Sequence, residues 1–321
     1  MTQSAIFIIN PKSHQVNMRG STLTRVAVEY GDIPIVYFDG KTPLSETLPP
    51  LLRQGRDLIY VEGGDGTVLA ALTACFAAHE TGVPMPRFAL LPGGSTNLAH
   101  EILGVRQVDA DALKKRVGQP VDYAGDAETT RHKALLIETS ETDAPFVGFL
   151  LSTGSLARLM LYTQDNLHGK RRGSLSIARA ILQLILFPNS TRYLDGKPLI
   201  RPAEFTRMGA GDADCASEQA FSIFSTFQEL SLGLSPFWAS GDAPIGFTHA
   251  SWPIRRLRLG IAKAVLGFSP STLERHGLTS EGCSHMVFRT EGPIILDGES
   301  LPMPADQTFK VSISPDLEFV R

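Results

Sequence analysis

A chain of 321 residues is long enough for two domains of ordinary size, and 43% hydrophobic with 20% charged residues excludes a disordered polymer. The formal net charge of −3 argues against bulk nucleic-acid binding, local basic patches aside. Cys75, Cys215 and Cys283 are far apart, odd in number and in no CxxC pair, which argues against a disulfide framework or a zinc site and for a reducing compartment. The histidines show no HExxH spacing, and Cys283 with His285 alone does not make a zinc site. The opening "MTQSAIFIIN" lacks the basic start and long apolar core of a signal peptide, and no apolar run reaches the ~18 residues of a membrane span.

In chain order, "AIFIIN" (Ala5 to Asn10) reads as a buried strand followed by the breaker "PKS". "IPIVYF" (Ile33 to Phe38) is a second strand, and "TPLSETLPPLLRQG" a short helical stretch interrupted by prolines. "DLIYVE" (Asp57 to Glu62) is a third; it feeds a glycine loop and then "TVLAALTACFAAH", where Val68, Leu69, Leu72, Cys75 and Phe76 share one helical face. "RFALLP" (Arg87 to Pro92) is a fourth, feeding "GGSTNLAHEIL". Strand–loop–helix units in series predict a parallel sheet with helices on its faces, whose ligands bind outside the carboxyl ends of the strands. The loops after Asn10, Glu62 and Leu91 all lie at that edge. Beyond about Arg106 the pattern turns β-rich, with "HKALLIETS", "FVGFLLST", "QAFSIFSTF", "HMVFRTE", "PIILDG" and "FKVSIS", and Asp195-Gly196 is a hairpin signal. The expected organisation is an α/β nucleotide-binding domain over residues 1–125 and an antiparallel β domain with inserted helices over 126–321.

Chemistry concentrates in two loops. Gly63, Gly64 and Gly66 let the backbone turn tightly or admit a ligand, and Asp65 adds a carboxylate. Open turns before helices offer unpaired N–H groups and the positive end of the helix dipole, which favour phosphate. Thr67, Ser95, Thr96 and Asn97 add side-chain donors that also suit simple N-capping. The spacing fits neither GxxxxGK[ST] nor GxGxxG.

"VEGGDGTVLAAL" together with "LLPGGSTNLAHEIL" resembles the diacylglycerol kinase catalytic family, which includes bacterial lipid kinases and the sphingosine and ceramide kinases. The first carries GGDGT; the second is similar to the family's P-x-G-[ST]-x-N-x-x-A, with Pro92, Gly94, Ser95 and Asn97 in place and Ala99 one position early. "IINPKS" is similar to the NPxSG motif, and "IILDGESL" to the C-terminal DGE motif at Asp297, Gly298 and Glu299. The chain departs from the family at His14, which stands for the glycine of NPxSG, and at Leu98, which stands for an acidic residue. Of the aspartate-rich segment tied to a structural magnesium in bacterial members, only Asp242 remains. "FLLSTGSLARL" keeps Gly154 but lacks the family's asparagine and aspartate.

The resemblance implies a nucleotide-binding α/β domain followed by a β-sandwich domain, with the active site in the cleft between them. It implies that Gly63, Gly64, Gly66, Thr67 and the loop of Gly93, Gly94, Ser95, Thr96 and Asn97 hold ATP, with Asn10 and Ser13 nearby. Asp65 would engage the Mg²⁺–phosphate network. Asp297 would be the general base toward a lipid hydroxyl, with Glu299 close by. Asp297-Gly298 equally suits a plain hairpin turn. The acceptor, whether diacylglycerol, a ceramide or sphingoid base, or another lipid alcohol, stays open. So do a NAD- or sugar-kinase-like enzyme sharing only GGDGT and a nucleotide- or lipid-binding protein without catalysis.

A lipid acceptor implies a cytoplasmic protein that meets the inner face of the membrane peripherally. "HGKRRGSLSIARAILQLILFP", with Lys170, Arg171 and Arg172, and "SWPIRRLRLGIAKAVLGF", with an apolar stripe of Ile254, Leu257, Ile261, Val265 and Phe268, are the candidate contacts. Both also fit helices packed on the β domain. The oligomeric state, a homodimer among the options, is not read from the sequence.

Overall fold

The computed structural model describes residues 5–95, 97–106, 109–117, 129–166, 196–209, 214–230, 234–253, 273–275 and 277–321. Residues 168–188, the helical stripe 254–268, Asp195 and Thr96 therefore lie outside the described residues, and with them both candidate membrane segments.

In chain order, β1 (Ala5–Ile9) leads through α1 (His14–Arg19) and α2 (Thr22–Ala27) to β2 (Ile35–Tyr37). Next come α3 (Leu44–Leu52), β3 (Leu58–Gly63), α4 (Asp65–Glu80), β4 (Arg87–Pro92), α5 (Leu98–Leu103) and α6 (Ala110–Val117). The second half runs β5 (Thr129–His132), β6 (Leu135–Thr139), β7 (Phe146–Gly148), β8 (Leu150–Ser152) and α7 (Gly154–Asn166). It continues with β9 (Ala203–Met208), β10 (Cys215–Ser225), β11 (Ile245–Ser251), β12 (Leu278–Cys283) and β13 (Met286–Thr290). It closes with β14 (Ile295–Leu296), β15 (Glu299–Ser300), β16 (Thr308–Ile313) and β17 (Leu317–Val320). The fold is mixed α/β, with a largely parallel N-terminal sheet and a large antiparallel sheet.

The chain forms two compact units: residues 1–134, 144–148 and 314–321, and residues 135–143 with 149–313. In the first, the strand order is β2-β1-β3-β4-β17-β5. β1 pairs in parallel with β2 and β3, and β3 with β4; the last strand of the chain, β17, joins this sheet parallel to β4 and antiparallel to β5. The apolar runs read from sequence are these central strands, buried on both faces as parallel strands require. One face (Phe7, Ile9, Tyr60, Leu91) packs against Val16, Leu23, Val26 and Leu113, with Phe7 and Tyr60 edge to face at 5.4 Å. Because β1 leads to β2 on one side while β3 leads to β4 on the other, the strand order reverses between β1 and β3. A crevice opens at such a switch point outside the carboxyl ends of the strands.

In the second unit the order runs β15-β14-β8-β10-β9-β13-β16-β6, with β11 and then β12 branching from β10. Its core is a ladder of phenylalanines on neighbouring strands: Phe205, Phe224, Phe247, Phe288 and Phe309, with Phe224 directly opposite Phe247 and Phe288 opposite Phe309. Stacked and tilted cross-strand aromatic pairs of this kind fix register as well as burying area. No described helix is long and apolar enough to cross a membrane.

Candidate functional site

The carboxyl ends of β1, β3 and β4 bring the glycine loops together by backbone contact. Gly93 N–H donates to Gly63 O at 2.8 Å. A Cβ on Gly93 would stand 2.7 Å from Gly63 Cα, and one on Gly94 2.5 Å from Gly64 Cα, distances no side chain tolerates. These glycines therefore do more than turn: they let the two loops lie back to back, which no other residue permits. A Cβ on Gly63 would also meet the Thr67 side chain at 2.5 Å.

The side chains at this edge hold the loops in place. Asn10 Nδ2 donates to Thr67 Oγ1 (2.9 Å), Asn10 Oδ1 accepts from Lys12 N–H (3.0 Å), and Asn10 N–H donates to Glu62 O (3.0 Å). Ser13 donates its hydroxyl to Asn10 O at 2.9 Å. Asn97 adopts a left-handed backbone, φ 53°, and bonds Gly94 twice, Oδ1 accepting from its N–H (2.7 Å) and Nδ2 donating to its carbonyl (3.0 Å). Asp65 opens α4, yet its Oδ1 accepts from Ala99 N–H at the start of α5, 3.1 Å away. α4 begins at Asp65 with Gly64 as its cap, so Thr67 sits inside the first turn, and its hydroxyl serves Asn10 instead of capping. Gly66 lies between them in that turn, and Ser95 is half-buried in the second loop. The long α4 presents the positive end of its dipole here.

Residues without a motif complete the edge. Gln15 on α1 clasps the second loop, N–H to Gly93 O (2.8 Å) and Nε2 to Gly94 O (3.1 Å). Lys12 reaches across with Nζ to Asp39 O at 2.6 Å, which sets an exposed cation beside the crevice. Glu62, 3% exposed, accepts from Ser21 Oγ (2.5 Å), Thr22 N–H (2.7 Å) and Leu23 N–H (3.0 Å), so its carboxylate caps α2 from the strand that carries the first loop. Burial lowers the His100 pKa below its ordinary value, against a backbone bond to Val105 and the charges of Glu101 and Asp65 that raise it. No cluster of three or more His, Cys, Asp or Glu that could hold a metal occurs among the described residues.

Asp297 belongs to the second unit. Asp297 and Gly298 form the tight turn between β14 and β15, both with positive φ (48° and 88°), the conformation an Asp-Gly hairpin favours. The hairpin turn also holds its carboxylate: Asp297 Oδ1 and Oδ2 accept from Phe149 N–H (3.1 and 2.9 Å), Oδ1 also from Leu150 N–H (2.8 Å), and Asp297 N–H returns a bond to Leu150 O (2.9 Å). The half-buried carboxylate is thus oriented by backbone, while Glu299 is exposed.

Residues 4–124 match the family model of the diacylglycerol kinase catalytic domain. That span contains every glycine-loop residue of the site and both strands of the switch point. No protein of curated function matches the chain in sequence. Among solved structures, the chain is similar to crystal structures of proteins named as diacylglycerol kinases from Bacillus anthracis str. Sterne. One is 16% identical, with 97% of this chain and 92% of that one covered and a TM-score of 0.64. Another is 15% identical, with 99% and 96% covered and a TM-score of 0.57. At these identities the likeness establishes a shared fold across both units. The kinase catalytic domain match and the fold agree, and the loops that the resemblance in sequence singled out are the ones brought together at the sheet edge.

Proposed function

We propose that the protein is an ATP- and Mg²⁺-dependent kinase that transfers the γ-phosphoryl group to the hydroxyl of a lipid. The observation that carries this reading is the pair of glycine loops packed back to back at the switch point of a sheet that matches a kinase catalytic domain. Phosphoryl transfer depends mainly on positioning and charge neutralisation, which loop amides and a helix N-terminus supply. In this reading Gly64, Gly66, Thr67 and the Gly94–Asn97 loop hold the phosphates, with Ser13 nearby and Lys12 adding positive charge. Asn10 keeps the loops in register.

Magnesium takes oxygen ligands and retains several waters, so one carboxylate plus the nucleotide's own oxygens can hold it. Asp65 fits that requirement: its Oδ1 is steadied by Ala99 N–H at the loop edge. The ion supplies charge neutralisation on the transferring phosphoryl group. Asp297 accepts the proton of the acceptor hydroxyl, and its backbone bonds aim the carboxylate before the acceptor arrives. The protein meets its acceptor peripherally at a membrane surface facing the cytoplasm.

The test is incubation with labelled ATP, Mg²⁺ and micelles of diacylglycerol, ceramide or sphingoid base, beside NAD and simple sugars. Transfer to a lipid supports the proposal; transfer to a soluble alcohol alone, or nucleotide binding with no transfer, overturns it.

A further inference from the structure

A buried polar cluster in the second unit is centred on a residue that no motif of the sequence includes. Its hub is Gln219 on β10, fully buried. Gln219 Oε1 accepts from Thr153 Oγ1 at 3.1 Å and Ser222 Oγ at 2.6 Å, and its Nε2 donates to Thr290 Oγ1 at 2.9 Å. Thr290 Oγ1 donates its own hydrogen bond to Glu204 O (2.8 Å), and Thr153 Oγ1 accepts from Ser222 N–H (3.2 Å). The two threonines stand on the segments that converge at Asp297. Thr153 follows β8, whose entry supplies the Phe149 and Leu150 amides bonded to the carboxylate. Thr290 ends β13, from which the chain enters β14 and the Asp297 turn. β8 and β14 pair directly, Leu296 opposite Leu151 and Ile295 opposite Ser152.

Apolar side chains would fill this space at no loss of core, whereas a fully bonded polar network fixes one arrangement. We propose that Gln219 is a positioning residue: it clamps β8 against the β13–β14 segment and so sets the orientation of the Asp297 carboxylate. The role in turnover rests on the reading of Asp297 as the proton acceptor. His249 touches the cluster through Ser222 Oγ, 2.9 Å from its Nδ1, and burial pushes its pKa down to about 4, so it stays neutral at the pH values used below.

The test uses the full chain with Gln219→Leu and Gln219→Glu, read by amide hydrogen exchange and by lipid phosphorylation kinetics. Loss of the clamp in Gln219→Leu should raise exchange at the Phe149 and Leu150 amides about tenfold and lower kcat by about 10- to 100-fold, leaving KM for Mg·ATP unchanged. Gln219→Glu, protonated in this buried site, can still donate to Thr290; it should resemble wild type at pH 6 and Gln219→Leu at pH 9, an alkaline limb that simple loss of packing would not produce. A folded Gln219→Leu, or Gln219→Glu at pH 9, with wild-type exchange at both amides overturns the clamp. Wild-type kcat in these variants, when Asp297→Asn is inactive, overturns its role in turnover. Full activity of Asp297→Asn overturns the reading of the base instead, a separate outcome.

Discussion

Gly94 carries the site's tightest constraint, because a Cβ there would stand 2.5 Å from Gly64 Cα, backbone that cannot swing aside as a side chain would. Gly94→Ala should therefore cost about 1–3 kcal/mol in urea unfolding and abolish Mg·ATP binding by calorimetry. Gly31→Ala is the control: nothing lies within 4 Å of its Cβ position, and the change should stay within about 0.5 kcal/mol. His249 makes a second residue-scale prediction. Burial among Phe205, Phe247 and the cluster pushes its pKa from 6.5 down to about 4. With the folded pKa depressed, protons bind the unfolded chain more readily. Stability from this residue is complete above the unfolded pKa and is lost as pH falls from about 6.5 toward 4. Between pH 7 and 5 that loss is about 2 kcal/mol. His100 and His132, also lowered by burial, act in the same direction. Urea melts of wild type and His249→Phe should show a shallower pH slope in the variant.

Each strand and turn at the site combines a feature visible in sequence with one that is not. The apolar runs became β1, β3 and β4, and the glycines became the contact between loops, because both depend on side-chain size and hydropathy that a sequence displays. The start of α4 was legible only to within a turn: Thr67 has the chemistry of a cap, but Gly64 takes that place and Thr67 bonds Asn10. Glu62 was unreadable as the cap of α2, since its partners Ser21, Thr22 and Leu23 lie about forty positions away and no local pattern links them. The donors that hold Asp297 are backbone amides, which every residue but proline carries, so sequence offers the acid but not its cradle. The turn itself was legible as Asp-Gly, and its geometry keeps the decisive variant folded. Asparagine tolerates the left-handed conformation that Asp297 holds at φ 48°, and its Oδ1 can keep the Phe149 and Leu150 bonds while Nδ2 forfeits the acceptor at Oδ2, so Asp297→Asn should fold with a melting temperature lower by several degrees while turnover falls by about 100-fold or more. A loss of fold in parallel with activity would refute that separation.

At the scale of the molecule, the last strand shows why topology outruns pattern. Leu317–Val320 alternates as any strand might, yet it pairs with Phe88 of β4 and with β5 in the first sheet, a choice made by distant backbone. The composition shift near Arg106 marked the change from helix-rich to β-rich chain but could not show that the C-terminus returns. A folded chain that binds Mg·ATP and does not bind it when unfolded gains about 2.7 kcal/mol at one hundred times Kd, or a melting shift of roughly 5–10 °C for domains of this size. Scanning calorimetry should find that shift with Mg·ATP in wild type and in Asp297→Asn, and lose it in Gly94→Ala. The most direct test of the whole account is transfer of labelled phosphate from ATP to a lipid alcohol by wild type and Asp297→Asn side by side. The account predicts a labelled lipid phosphate from wild type and almost none from Asp297→Asn despite intact nucleotide binding. Label appearing only on a soluble acceptor, or equally with both proteins, would contradict it.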